Sequence, residues 1–276
     1  MSHELDGGQS RVSLDAAAQV LQQQLAVDGA DAGRTGEDLF AVTSLLDSSV
    51  RLRRSLTDPS RPGSVKADFV RRTLGGKISH AAAETVAALA TGRWAAGRDL
   101  ADACERVAVL AVVTQAERNG RSDALEDELF RFSRTIAGNT ALRDALADRT
   151  ASDADRASLV SRLLVGKASP EAVQLARRVA VSPRGVRAER LLEEYVAIAA
   201  KRREQLVAHV VSAQPLTPGQ LDRLEAGLAR QYGRAIRVNA EVDPGLVGGL
   251  RINVGDDVID GTVSTKLSEA RRRLAG

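Results

Sequence analysis

The sequence predicts a mainly α-helical protein: two tandem homologous helical bundles followed by a small α+β C-terminal domain. Three observations carry that prediction. From about Val12 to Arg203 the apolar residues keep helical spacing, in a stretch rich in Ala, Leu, Arg and Glu, all good helix formers. That stretch repeats itself. After Leu206 the texture changes to short, alternating, valine-rich segments set off by glycine and proline. The expected domains are 1–118, 119–205 and 206–276.

The repeat is found by laying Leu39–Ala82 on Leu129–Ala172 at an ungapped offset of ninety. Leu39-Phe40 falls on Leu129-Phe130, Leu52-Arg53 on Leu142-Arg143, Leu56 on Leu146 and Asp58 on Asp148. Further along, Ala67, Val70, Arg72 and Leu74 meet Ala157, Val160, Arg162 and Leu164. Gly76-Lys77 and Ser79 meet Gly166-Lys167 and Ser169. The matches sit at apolar and turn positions, which a duplicated fold must keep. Gly76 and Gly166 suit helix C-terminal caps, and Ser79 and Ser169 suit N-caps, the second followed by Pro170 at the first helical position. The copies are expected to meet along a long helix from about Asp99 to Asn119, with Val107, Leu110, Ala111 and Val113 on its apolar face. Its counterpart, Glu189 to Gln205, carries Leu192, Tyr195, Val196 and Ala199. Sequence alone leaves open whether the first of these helices also begins the second bundle.

In the last seventy or so residues, Leu206–Ala213 reads as a strand. Thr217-Pro218-Gly219-Gln220 opens a helix with a capping box, buries Leu221, Leu224 and Leu228, and stops at Gly233. Ile236, Val238, Ala240 and Val242 alternate with polar residues, the signature of a half-buried strand. Gly245–Gly249 reads as a bend or bulge entering the strand of Leu250, Ile252 and Val254. Gly255-Asp256-Asp257 then turns into Val258-Ile259, and an amphipathic helix with Leu267, Ala270 and Leu274 closes the chain.

Composition narrows the function classes. The 276 residues carry 39 basic and 36 acidic side chains, a surplus of only +3, which is weak footing for a nucleic-acid or anionic-membrane surface. One cysteine, Cys104, excludes an internal disulfide and any CxxC site, and its apolar helical neighbours make it a packed residue rather than a nucleophile. His3, His80 and His209 are scattered and unsuited to a metal site. No apolar run approaches the ~18 residues of a membrane span, and the polar Met1–Asp6 lacks the features of a secretory signal.

Apparent chemical motifs dissolve on inspection. The Gly-Lys pairs are followed by Ile78 and Ala168, not by the hydroxyl that a phosphate loop needs, so they read as helix-to-helix turns. Asp256, Asp257 and Asp260 lack the alternating ligand positions and terminal glutamate of a calcium loop and read as a solvated hairpin. Basic clusters at Arg51, Arg53 and Arg54, at Lys201–Arg203 and at Arg271–Arg273 have no interleaved aromatics for base stacking and suit solvated helix faces; the last two could equally meet an acidic protein partner. No catalytic residues, cofactor or metal are expected.

One stretch carries a family likeness. Asp243-Pro244 leading to Gly248-Gly249, then Ile252 through Gly255 and Val258 to Asp260-Gly261, then Lys266-Leu267 in a basic final helix, resembles the delta subunit of F-type ATP synthase, the oligomycin-sensitivity-conferring protein family. The second helical copy resembles the six-helix bundle of that family, and the first copy, including Ser10–Leu25, resembles the same bundle again; the duplication departs from the usual single bundle. The resemblance implies a non-catalytic stator subunit of the peripheral stalk, on the cytoplasmic face of the membrane. Its implied partners are the alpha subunits of the catalytic head, through a bundle, and the b subunit, through the C-terminal domain. Nucleic acid, self-association and a membrane span are not implied. No stalk helix precedes Ser10, so the b partner is expected to be a separate chain. Candidate partner-contact residues on the amphipathic helices are Leu21, Leu25, Leu110, Val113, Leu192, Val196, Arg271, Arg272 and Leu274. The alternative is a helical-repeat adaptor of another assembly.

Overall fold

A computed structural model describes residues 8–148, 150–204, 207–232, 236–243, 245–246, 248–255 and 257–261. It is mainly α with a small α+β domain, and two compact units divide at Ala199/Ala200. The helical unit comprises α1 (Gly8–Leu25), α2 (Ala32–Ser48), α3 (Val50–Thr57), α4 (Gly63–Leu74), α5 (His80–Thr91) and α6 (Gly97–Arg118). It continues through α7 (Ser122–Gly138), α8 (Thr140–Ala147), α9 (Asp153–Leu164), α10 (Pro170–Val181) and α11 (Ala188–Glu204). The second unit holds β1 (Val207–Ser212), α12 (Pro218–Tyr232), β2 (Arg237–Val242), β3 (Leu250–Val254) and β4 (Asp257–Asp260).

The offset of ninety recurs in the helix boundaries. The starts of α2, α3, α4 and α5 fall on those of α7, α8, α9 and α10, and α6 meets α11 within one residue. Local hydrogen bonds repeat as well. Ser49 accepts from the Leu52 N–H as Asn139 accepts from that of Leu142. Ser79 and Ser169 cap α5 and α10, as the sequence predicts, and each donates its own backbone N–H to a carboxylate on the second helix of its copy. The acceptors are Asp38 at 2.7 Å and Glu128 at 2.8 Å. Asp58 and Asp148 close equivalent turns, and the hydroxyl and backbone hydrogen bonds of Ser60 and Thr150 hold both carboxyls below their ordinary range. Gly76 and Gly166 take φ +76° and +69°, the left-handed conformation that a following helix cap needs.

By the same offset α1 corresponds to α6, which settles what sequence leaves open. The helix that ends the first copy packs on α1, α2, α3 and α5 and also on α7 and α10. Its Ala101, Ala103, Cys104, Val107, Ala108, Val109, Ala111, Val112 and Val113 are buried on all sides, and the apolar core runs continuously through both copies. Gly36 lets α2 lie close against α6: a Cβ there would come 2.6 Å from Val112 Cγ2. Cys104 is packed, its thiol near the Leu39 carbonyl at 3.6 Å, and burial pushes its pKa up to about 12. A thiol held so firmly protonated is a poor nucleophile.

The α+β unit is a four-stranded sheet in the order β2-β1-β3-β4, with β1 and β2 parallel and the other pairs antiparallel. The parallel pair requires a crossover, which α12 supplies. Thr217 and Gln220 close its N-terminus, the Thr217 N–H reaching Gln220 Oε1 at 2.9 Å. Ala208, Val210, Leu228, Ile236, Ile252 and Val254 form the core. One expectation is corrected: β2 is not half-buried. Val238 is partly covered, but Ala240 and Val242 are exposed, because β2 is an edge strand and α12 covers only its start. The expected stop at Gly233 and the final helix lie outside the described residues.

Candidate functional site

The residue that organises the helical unit is Glu105, on the buried face of α6 at 3 % exposure. Arg178 of α10 meets it through two bonds, Nε to Oε1 at 3.1 Å and Nη2 to Oε2 at 2.8 Å. Tyr195 of α11 donates its hydroxyl to the same carboxylate. Arg178 also donates to Ser44 Oγ of α2 at 2.8 Å and stacks over Phe40, 5.0 Å from the ring centre. Side chains of α10 and α11 thus converge on one carboxylate of α6, and Arg178 carries the contact on to α2 of the first copy. Burial opposes the Arg178 charge, but Glu105 more than compensates and raises its pKa; burial and the Glu105 charge raise that of Tyr195 well above the ordinary phenol value.

A second latch lies in the connection between α10 and α11. Arg184, at positive φ (53°), binds Asp47 of α2 through Nε at 2.7 Å and Nη2 at 3.0 Å, and Asp102 of α6 at 2.7 Å. A third clamps the start of α10, where Glu171 accepts from Arg121 at 2.6 Å and Asn119 at 2.7 Å. Sequence reasoning passed over all three. The available signal was Glu105 itself, a charge inside an apolar helical face, which requires a buried partner.

The candidate contact residues are placed unevenly. Leu21, Leu25, Val113 and Leu192 are all buried at 2 % exposure or less, and Leu110 and Val196 are partly buried and packed on the core. Their apolar faces are satisfied within the unit, because α6 and α11 are held by neighbours on several sides. Arg271, Arg272 and Leu274 lie outside the described residues. What the helical unit does leave open is a groove of about 680 Å³ along α9 and α10, lined by Leu164, Val165, Ala168, Val173 and Val181 with Glu37 and Arg177 at its edge. Val165 there is 71 % exposed.

In the α+β unit the motif residues form one edge-to-turn path. Asp243 receives the Gly245 N–H at 2.8 Å on its side chain and sends its own N–H to Ser212 O at 2.9 Å. Gly248 and Gly249, at φ 146° and 89°, carry the chain into β3 in a conformation that side chains resist. Ile252 sits at the centre of the sheet between Val210 and Ile259. Gly255, at φ 57°, begins the hairpin; Val258 is exposed beyond it, and Asp260 faces Arg251 at 3.9 Å. Gly261 donates to Leu250 O at 2.9 Å, and a Cβ there would come 3.2 Å from that oxygen. Pro244, Lys266 and Leu267 lie outside the described residues. No group of three His, Cys, Asp or Glu is placed to hold a metal, and no helix is long and apolar enough to cross a membrane, among the described residues.

Two homologous helical copies that share α6, followed by a small α+β unit, define the class of protein by its architecture. Comparison with known proteins makes the class particular: the family model for the ATP synthase delta (OSCP) subunit matches residues 109–274, and the chain belongs to that family. The match opens inside α6 and spans the second copy and the α+β unit. The chain is 75% identical to the ATP synthase subunit delta of Kineococcus radiotolerans, covering 100% of both chains. It is 44% identical to that of Streptomyces coelicolor and 45% identical to that of Beutenbergia cavernae, each over 97% of this chain and 98% of the relative. The first copy is therefore shared along the full length of these relatives.

Proposed function

We propose that the protein is a non-catalytic stator subunit in the peripheral stalk of the F-type ATP synthase, at the cytoplasmic face of the membrane. The carrying observation is family membership, with full-length likeness to three delta subunits. A stator joint must resist rotor torque, and the Glu105–Arg178 and Arg184 latches, which tie α2 and α6 to the α10–α11 segment, suit a stiff element. The helical unit docks on the alpha subunits of the head, with the α9–α10 groove taking an amphipathic N-terminal helix. The α+β unit holds the b subunit. The expected limits 1–118, 119–205 and 206–276 follow the repeat except that α6 serves both copies, and the working bodies of this reading are the helical unit and the α+β unit.

Affinity purification from cells tests this directly: the chain should recover the catalytic head and the b subunit. Val173→Asp, placed in the groove, should weaken head recovery about tenfold or more, as expected for a charge in an apolar contact, while b recovery persists. Recovery of neither partner sinks the stator reading; loss of b alone reverses the assignment of the two units.

A further inference from the structure

We infer that the duplication creates a second docking site, a cationic cleft between the two copies that takes an acidic, apolar-studded segment of a neighbouring subunit. The inference rests on the stator reading and names a further contact within it. The cleft has a volume of about 1430 Å³ and lies wholly in the helical unit. It is lined by α3 and α8, the same short helix in the two copies, together with the connection between α10 and α11. A single bundle would supply only one of those two helices.

Seven arginines and three carboxylates line it, a surplus of four, in a chain whose total surplus is +3. Arg184 is neutralised by Asp47 and Asp102, and Arg156 pairs with Asp153. Arg53, Arg54, Arg143 and Arg187 are different: none forms an ion pair among the described residues. Arg53 and Arg143, equivalent in the repeat, donate to the carbonyls of Asp47 and Ala137 at 2.9 and 3.0 Å. Arg54 and Arg187 are exposed. The first residues of α6 and α11, Gly97 and Ala188, also line the cleft and add the positive ends of two helices.

The lining selects the ligand class. Guanidinium forks match carboxylates in planar, paired hydrogen bonds. Val50, Leu146, Val181 and Val186 lie among the arginines, so an occupant needs apolar side chains as well as charge. No aromatic residue lines the cleft, which removes the stacking platform that a nucleobase uses. The volume exceeds the roughly 300–1,000 Å³ of small-ligand pockets and suits a peptide segment.

The test uses the purified full-length chain and three fluorescent probes of equal length: a Glu/Leu peptide, its Gln/Leu counterpart and an oligo-dT strand. The Glu/Leu peptide should bind, and added salt should weaken it. Binding should fall about tenfold in Arg54→Glu/Arg187→Glu and for the Gln/Leu peptide, because steering and pairing both depend on the charges. Both arginines are exposed, so a native circular dichroism spectrum is expected; Arg54→Gln/Arg187→Gln serves if charge reversal disturbs folding. Equal binding by the variants, equal binding of the Gln/Leu peptide, or tighter binding of the oligonucleotide overturns the cleft. Recovery of the unaltered chain with the ATP synthase is scored in parallel. Its failure overturns the stator reading, whereas normal recovery beside charge-indifferent peptide binding overturns the cleft alone.

Discussion

Glu105 carries a charge at 3 % exposure, and its worth depends on what surrounds it. A buried ion pair gains little net stability, because desolvation offsets most of the attraction, but removing one partner strands the other charge. Glu105→Gln should therefore cost about 3–5 kcal/mol in chemical denaturation, leaving Arg178 without a counter-charge. Replacing both, as Glu105→Leu/Arg178→Met, should recover most of that loss. A double variant as unstable as the single would show that packing, not charge, is what the site supplies. The same logic separates Glu105 from the exposed pair Arg131–Asp127, whose contribution lies near the bottom of the ~0–1 kcal/mol range of surface pairs.

At the scale of elements, repetition explains why the helices end where they do. The Ser79 and Ser169 caps, the Asp58 and Asp148 turns and the paired left-handed glycines punctuate both copies at the same offset. These were legible in the sequence because caps and turns are local: the side chain and the backbone group it satisfies lie within a few residues. The clamp on α10 was not, because Glu171 meets partners some fifty residues away. Burial works against the Glu171 charge, yet the Arg121 and Asn119 hydrogen bonds prevail and hold its pKa below the ordinary value. A depressed carboxyl stabilises the fold above its unfolded pKa and loses that contribution as pH falls through the native one. Wild type should thus exceed Glu171→Gln in stability at neutral pH, and the gap should close below the ordinary glutamate range near pH 4. Thermal melts across that range read the outcome directly; a gap independent of pH would assign the effect to shape instead.

For the whole molecule, the decisive feature is that α6 serves both copies. Because the apolar core is continuous from α1 through α11, the helical unit up to Ala199 should unfold in a single calorimetric transition. Two separable transitions would mean that the copies are independent bodies joined by a long helix. The helical class, the ninety-residue repeat, the α+β tail and the motif from Asp243 to Gly261 were determined by the sequence itself. Periodicity, caps and turns are written in neighbouring residues. Four apolar residues expected to meet partners, Leu21, Leu25, Val113 and Leu192, belong instead to the interior. Sequence marks a face as apolar but not what covers it. Only the tertiary structure decided that α6 is shared, that Glu105, Arg178 and Tyr195 converge, and that arginines from two copies line one cleft. Each is a meeting of side chains far apart along the chain, and such meetings follow from packing two copies around one helix rather than from any local pattern.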